Sequence, residues 1–314
     1  MLRRHFILAT AAMAAARAQT SLAKTERVKR ALAGKDLDRP PFSFWHHFGL
    51  KTPEEHAAAT LRFHRDYRTD IVKVMSDFPY PKPAGKWYEL KPEANPFAPQ
   101  IRALELIRDG LRGDAPFVET LFNPWNVAEK LSSKEEVLRL KKENPKALLN
   151  ALDVITTSEI NHAKRAIQAG AAGIFLSVAN ANSLSIPRAD YERFSLPFDR
   201  RILEAVSGAW LNVLHVHVEP GYLDVFRTFQ APIFNYSLHV SKIPVSDVRK
   251  QYPATIAGGI DELNYRKLTV KELTAQWHAA QAAAGGKFIL TPGCSVPNDS
   301  TADELQRLPR LLGA

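Results

Sequence analysis

The chain has 314 residues and a single cysteine, Cys294. No disulfide can form within it, so its stability must come from an apolar core. A lone thiol in an exported protein is open to oxidation unless it is buried or bound to metal, which singles out Cys294. Long apolar runs are missing as well, and none reaches the ~18 uninterrupted residues of a membrane span. Neither a Gly-x-Gly-x-x-Gly loop nor a Walker-type loop follows any strand-like run, so a nucleotide-binding open sheet lacks its main support. Lysines and arginines are scattered among Glu and Asp without an aromatic-basic stripe, which disfavours nucleic-acid binding.

What remains is an ordinary globular composition, 45% hydrophobic and 24% charged. The length suits one large α/β barrel or two mid-sized domains. Residues 1–20 read MLRRHFILATAAMAAARAQT, with paired Arg3 and Arg4, a short apolar run, and Ala16-Arg17-Ala18 as a small-x-small cleavage site. This pattern predicts an export signal over residues 1–18 that is no part of the fold. Arg3-Arg4-His5-Phe6-Ile7-Leu8 resembles a twin-arginine signal, which would send the protein to the periplasm; a general secretory signal with a chance arginine pair is the alternative. Loss of Arg3, Arg4 and Arg17 with the signal takes the formal charge from +9 to +6. That leaves room for a mildly basic cleft that takes an anionic small molecule.

Eight apolar runs read as buried parallel strands: Pro41–His46, Asp70–Met75, Phe117–Phe122, Gly173–Val178, Leu211–His217, Ile233–Leu238, Ala254–Ile260 and Lys287–Thr291. Most are separated by enough chain for a crossover helix. Helix starts are marked by Thr52-Pro53-Glu54-Glu55, Ser133-Lys134-Glu135-Glu136, Thr269-Val270-Lys271-Glu272 and Thr301-Ala302-Asp303-Glu304. Gly170 and Gly285-Gly286 end helices just before strands. The reading is α/β, a (β/α)8 TIM barrel occupying residues 25–314 as one domain, with residues 79–100 as a long loop on the catalytic face.

In such a barrel the strand ends line one pocket. They carry His46 and His47, Asp77, Asn123, Asn180 and Asn182, His215 and His217, Tyr236 with His239, Asp261, and Cys294. Alternation along Leu211-Asn212-Val213-Leu214-His215-Val216-His217 puts Leu211, Val213, His215 and His217 on one face. Two imidazoles then stand at the mouth, about 6.5–7 Å apart along the strand. With Cys294 as a third donor, the set suits zinc and leaves a fourth position open. Glu219 lies two residues beyond His217, available as a base or as a partner to the ligands. The same residues would also serve as neutral pocket histidines beside a small buried cysteine. Asp77 ends the second strand as a candidate proton donor or as the holder of a cationic ring nitrogen, or else as a turn residue. His46 shares the parity of Phe42 and Phe44, which makes it the pocket candidate if those rings face the barrel, with His47 as a packed histidine or substrate contact. Asn180, Asn182, Tyr236 and His239 are candidate substrate contacts, and Arg188 and Tyr191 are weaker ones.

Asp38-Arg39-Pro40-Pro41, the run Trp45-His46-His47-Phe48-Gly49, the Ser76-Asp77 strand end and Pro292-Gly293-Cys294-Ser295-Val296-Pro297 together resemble the uroporphyrinogen decarboxylase superfamily. That superfamily includes the cobalamin- and corrinoid-dependent methyltransferases. The resemblance spans about residues 25–310 and implies a (β/α)8 barrel. In the decarboxylase an Asp matching Asp77 holds the pyrrole nitrogens, with no metal or organic cofactor. Its Arg-Gln-Ala-Gly-Arg run is matched here by His46-His47-Phe48-Gly49-Leu50, so the arginines that bind substrate carboxylates are absent. The methyltransferases hold zinc with a His-x-Cys on the fifth strand and a Cys after the eighth; here those positions read His215, His217 and Cys294. The resemblance therefore implies zinc-assisted methyl transfer on a small molecule, with Asp77 and His46 orienting substrate or moving protons. A metal-free, Asp77-centred carboxy-lyase of porphyrin type is the second reading. A non-catalytic exported binding protein is the third. Oligomeric state is not legible.

Overall fold

The computed structural model describes residues 21–217 and 221–314. The expected signal at residues 1–18 lies outside the described residues, and so does Glu219. The first half of the chain runs α1 (Lys24–Ala33), α2 (Pro53–Tyr67), β1 (Val72–Val74), α3 (Ala98–Leu111), β2 (Phe117–Phe122), α4 (Pro124–Leu131), α5 (Lys134–Glu143) and α6 (Pro145–Gln168). It continues with β3 (Gly173–Val178), α7 (Arg188–Phe194), α8 (Leu196–Ala205), β4 (Val213–Val216), β5 (Ile233–Tyr236), α9 (Leu238–Ser241) and α10 (Val245–Gln251). β6 (Thr255–Ile260), α11 (Val270–Ala284), β7 (Phe288–Pro292) and α12 (Ala302–Leu312) complete it. The helices start where capping chemistry places them. Thr52 and Ser133 accept from the N–H three residues on, and Thr269 and Thr301 form full capping boxes with Glu272 and Glu304.

The seven strands form one parallel sheet in sequence order, β1 to β7. Its curvature separates two kinds of apolar residue. Ile71, Val118, Phe175, Val213, Ile233, Ala257 and Ile289 pack with one another and with Val28 and Ala31 of α1, which closes the end where the strands begin. Their neighbours in sequence, including Leu121, Leu176, Leu214, Phe234, Ile256 and Leu290, pack outward against the helices. The sheet thus encloses a core of its own, and the alternation of side chains decides which residues reach the open end where the strands finish.

The sequence reading expected eight strands, and the described residues contain seven. Pro41–His46 is no regular strand; Phe42 alone bridges in parallel to Leu290. The reason is local. Pro40 and Pro41 carry no N–H to donate. The Phe42 N–H donates to the Asp70 carboxylate (2.9 Å), and the Ser43 hydroxyl donates to the Ile71 carbonyl (2.6 Å). Side chains make the bonds that a ladder would otherwise make. The backbone still links both neighbours: Ser43 N donates to Leu290 O, Leu290 N to Pro41 O, and Asp70 N to Phe42 O.

Asp70 is the centre of this junction. Its buried carboxylate meets Arg27 of α1 at 2.6 Å and Arg39 at 2.5 Å, while Arg27 also grips Asp38. Two acids and two arginines thus neutralise one another with almost no water. Removing one member of such a set leaves an uncompensated buried charge, at a cost of about 3–5 kcal/mol. Asp70→Ala is therefore expected to lower unfolding stability by about that amount in urea titration. A loss within the error of the measurement would show that the junction holds nothing together.

Candidate functional site

His215 on β4, His217 just beyond it, and Cys294 after β7 meet at the open end of the sheet. Their donor atoms lie within 4.8 Å of one another. His217 Nε2 is 2.9 Å from Cys294 Sγ, and the two imidazoles stand edge to face with centroids 5.5 Å apart. Cys294 reaches this position because Gly293 precedes it. A Cβ on Gly293 would come 2.4 Å from Ser237 Cα, so only glycine lets the chain pass so close to the end of β5.

Asn235, paired with His215 in the β4–β5 register, fixes the imidazole. Its Nδ2 donates to the Ala257 carbonyl at 2.9 Å, so its Oδ1 faces His215 Nδ1, at 2.6 Å. Nδ1 is therefore the donor to Asn235, and Nε2 is left facing Cys294. Phe175 stacks on the same ring with centroids 5.0 Å apart. Burial opposes ionisation of Cys294, yet hydrogen bonds and charge from His215 and His217 outweigh it and bring the thiol down to about 4. The cluster is thus a thiolate with two imidazoles, a donor set of the kind that holds zinc. A tetrahedral zinc, with bonds of ~2.0 Å to nitrogen and ~2.3 Å to sulfur, spaces its ligands about 3.3–3.8 Å apart. The three donor atoms, within 4.8 Å of one another, lie close to that spacing.

A cavity of about 210 Å³ opens over the cluster, and its wall includes Trp45, His47, Lys73, Thr120 and Phe175. Lys73 of β1 was missed by the sequence reading. It lies between Ile71 and Met75 on the inner parity, and a lysine inside an apolar run was the available signal. Its ammonium sits 4.6 Å from the centre of the Phe175 ring. Burial pulls it down to about 8 against the opposing charges of Cys294, Glu119 and Asp77. Trp45 Nε1 and Thr120 Oγ1 are buried without hydrogen-bond partners. Asn235 was missed for the same reason as Lys73, being a polar residue inside a run read as strand core.

Asp77 lies beside this pocket rather than in its wall, close enough for its charge to act on His47 and Lys73, and is 3.2 Å from His56 Nδ1. Burial works against its ionisation, but contact with His56, the His47 side chain and the Gly49 N–H hold it below the ordinary carboxylate range. Its neighbour His47 is lowered by burial first and by Lys73 second.

Other expected contacts fall elsewhere. His46 was expected in the pocket, with His47 as a packed histidine or substrate contact; the structure puts His47 in the pocket wall and His46 outside it. Phe42 and Phe44 pack outward, so His46 follows them to Phe63 and Phe48, with centroids at 5.2 and 5.1 Å. Trp45 and His47 take the inner parity. Tyr236 is also outward and donates to the Ile243 carbonyl at 2.9 Å. His239 meets the Gly259 carbonyl on the outer side of β6 at 3.1 Å. Asn182 folds a turn, its Oδ1 accepting from the Leu184 and Ser185 N–H groups. Asn180 is buried in a polar network with Asn123, Ser195, Asp199 and Tyr191 behind β2 and β3. Asp261 caps its own turn at Leu263 and Asn264, and Arg188 pairs with Glu192 and Asp224 on the surface.

The sequence profile of the family described as Uroporphyrinogen decarboxylase (URO-D) matches residues 78–312. Among solved structures, a methyltransferase from Methanosarcina mazei superposes with a TM-score of 0.74 at 16% identity, covering 93% of this chain and 99% of that one. A B12-independent methionine synthase from Shewanella sp. W3-18-1, solved in complex with selenomethionine, gives a TM-score of 0.60 at 12% identity, covering 87% of this chain and 91% of that one. At such identities the likeness is one of fold alone. No curated protein matches the sequence.

The Asn180 network yields a pH test. Burial pushes Asp199 up to about 7 against the hydrogen bonds from Tyr191, Asn123 and Ser195. The folded chain therefore keeps a proton that the unfolded chain releases near pH 4. The resulting stability is complete below that range and is lost as pH rises through about 7. Asp199→Asn cannot ionise, so its stability relative to the native chain should improve by on the order of 2–4 kcal/mol from pH 4 to pH 8. Urea titrations at both pH values measure this, and a difference unchanged with pH would refute it.

Proposed function

This chain belongs to the uroporphyrinogen decarboxylase family, and from that premise we propose that it is an exported enzyme performing zinc-assisted methyl transfer to a small thiol at His215, His217 and Cys294. The scaffold in this reading is a (β/α)8 barrel whose eighth stave is the segment around Phe42, bonded to Leu290 on one side and to Asp70 on the other. The observation that carries the reading is the convergence of two imidazoles and one thiolate within 4.8 Å at the open end of the sheet.

A bound zinc would act as a Lewis acid that keeps a substrate thiol ionised at neutral pH. The chain's own residues supply the rest. Asn235 holds His215 with Nε2 facing the cluster, and Phe175 keeps the ring flat against one wall. Lys73 offers a positive charge to an anionic group on the substrate, with Trp45 Nε1 and Thr120 Oγ1 as further donors. Asp77, beside the pocket, and His47, in its wall, orient the substrate or carry a proton; His47 takes the part first assigned to His46. The decarboxylase reading is the weaker one, because His46 and Leu50 stand where paired arginines would bind a polycarboxylate.

Metal analysis of the purified protein tests the proposal. About one zinc per chain is expected, lost in His217→Ala and Cys294→Ala. Asn235→Ala should weaken zinc binding by about 10–100-fold, since a ligand's partner is removed rather than the ligand. Metal-free protein whose activity on a porphyrinogen depends on Asp77 would overturn the reading in favour of a carboxy-lyase. Ligand capture without turnover would overturn it in favour of a binding protein.

Export is tested separately. Replacing Arg3 and Arg4 with lysines should leave the precursor unprocessed in the cytoplasmic fraction, whereas the native chain is recovered from the periplasm. Unchanged processing of the variant would point to the general secretory route instead.

A further inference from the structure

A second cavity, of about 250 Å³, lies beside the one just described and shares Phe122 as a wall. It is roofed by the long loop between β1 and α3 and floored by α4 and α6. The roof is pinned in place: Tyr80 Oη and the Glu93 N–H both donate to Ser158 Oγ, and Arg165 donates to the Ala94 carbonyl. Apolar surface from Phe78, Phe97, Phe122 and Leu131 makes up most of the wall. Three charged groups interrupt it. Glu159 of α6 is 2% exposed and, among the described residues, makes neither a hydrogen bond nor an ion pair. Lys130 of α4 rests its ammonium on the Phe122 ring, 3.0 Å from the centroid, with no carboxylate in ion-pair range. Asp77 lines the cavity too, with His56 Nδ1 3.2 Å from its Oδ2. Lys82 stands exposed at the rim.

Buried charges without partners are costly, and proteins keep them mainly where a ligand completes them. Burial, with the nearby Glu119 adding to it, pushes Glu159 up to about 8, and burial draws Lys130 down to about 8; the attraction between the two, and that of Asp77 for Lys130, opposes these shifts without cancelling them. Neither a simple cation nor a simple anion would satisfy a site with unmatched groups of both signs. We propose that this cavity binds a small zwitterionic amino acid with an apolar side chain, its ammonium between Asp77 and Glu159, its carboxylate on Lys130, and its side chain among Phe78, Phe97 and Leu131. The volume lies near the lower end of small-molecule sites, which begin at about 300 Å³, and so suits a ligand of roughly a dozen heavy atoms. The inference uses none of the zinc ligands and shares only Asp77 with that reading.

Titration calorimetry with L-phenylalanine and L-leucine on the purified full chain tests it. At least one of them should bind. The matching compounds with one charge removed, 2-phenylethylamine and 3-phenylpropionate for phenylalanine, isoamylamine and 4-methylpentanoate for leucine, should each bind at least tenfold more weakly. Lys130→Met and Glu159→Gln should each weaken the amino acid at least tenfold, and Cys294→Ser should leave it unchanged. The analogue series needs no variant to fold and decides the matter by itself. Absence of binding by both amino acids at millimolar concentration, or equally tight binding of the amine or the acid, would overturn the proposal. Loss of binding in Cys294→Ser would also overturn it, by moving the ligand into the neighbouring cavity. Absence of zinc from the purified native chain, with amino-acid binding intact, would sink the methyl-transfer reading and leave this one standing.

Discussion

The buried carboxylate of Asp70 is the constraint from which the rest of the architecture follows. It receives Arg27 from α1, Arg39 from the segment after it, and the Phe42 N–H from the stretch beside β7. The bulk of the fold is an apolar sheet wrapped in helices, and apolar contact is non-directional. Directional bonds to a buried charge are what set the rotation of the chain at Phe42. That rotation in turn sends Trp45 and His47 inward and His46 outward. A polar junction at the closed end thus determines which imidazole reaches the open end.

Much of the molecule was legible because its signals are local. Seven of the eight apolar runs contain the observed strands, and the helix starts at Thr52, Ser133, Thr269 and Thr301 follow from a side-chain oxygen and the N–H three residues on. The convergence of His215, His217 and Cys294 was also readable, because alternation along one strand settles two of the three and the last strand end supplies the third. His46 was misplaced because parity can be counted only from an anchor, and Phe42 and Phe44 were taken as facing inward. Nothing local says whether a phenylalanine packs on the inner or the outer side of a curved sheet. Lys73 and Asn235 went unread for a different reason. Each is a polar residue within an apolar run, and its role comes from a neighbour on another strand, Phe175 in one case and His215 in the other.

The two cavities treat buried charge in opposite ways. Around Cys294 the charged groups have counterparts, thiolate with imidazole and ammonium with aromatic face, and the imidazole of His215 has an amide, while the neutral Trp45 Nε1 and Thr120 Oγ1 have none. Across Phe122 the carboxyl of Glu159 and the ammonium of Lys130 lie in one cavity without pairing. Low dielectric strengthens satisfied interactions and raises the cost of unsatisfied ones by the same physics. The first arrangement is rigid before anything binds, whereas the second gains most from a ligand that brings both charges.

On the methyl-transfer reading, exchanging a cysteine ligand for His217 has an electrostatic consequence. One thiolate and two neutral imidazoles leave a divalent cation with a net positive charge, where two thiolates and one imidazole would cancel it. Among the negative charges that keep the Lys73 ammonium ionised against its burial, that of Cys294 contributes most, ahead of Glu119 and Asp77. A cation that takes up the Cys294 charge would remove that support and leave Lys73 in need of another anion. Binding of metal and binding of an anionic substrate would then be coupled with the same sign: each raises the affinity for the other. The single substitution at position 217 would thereby shift selectivity toward negatively charged thiols, with the fold unchanged and the change confined to the charge of the pocket.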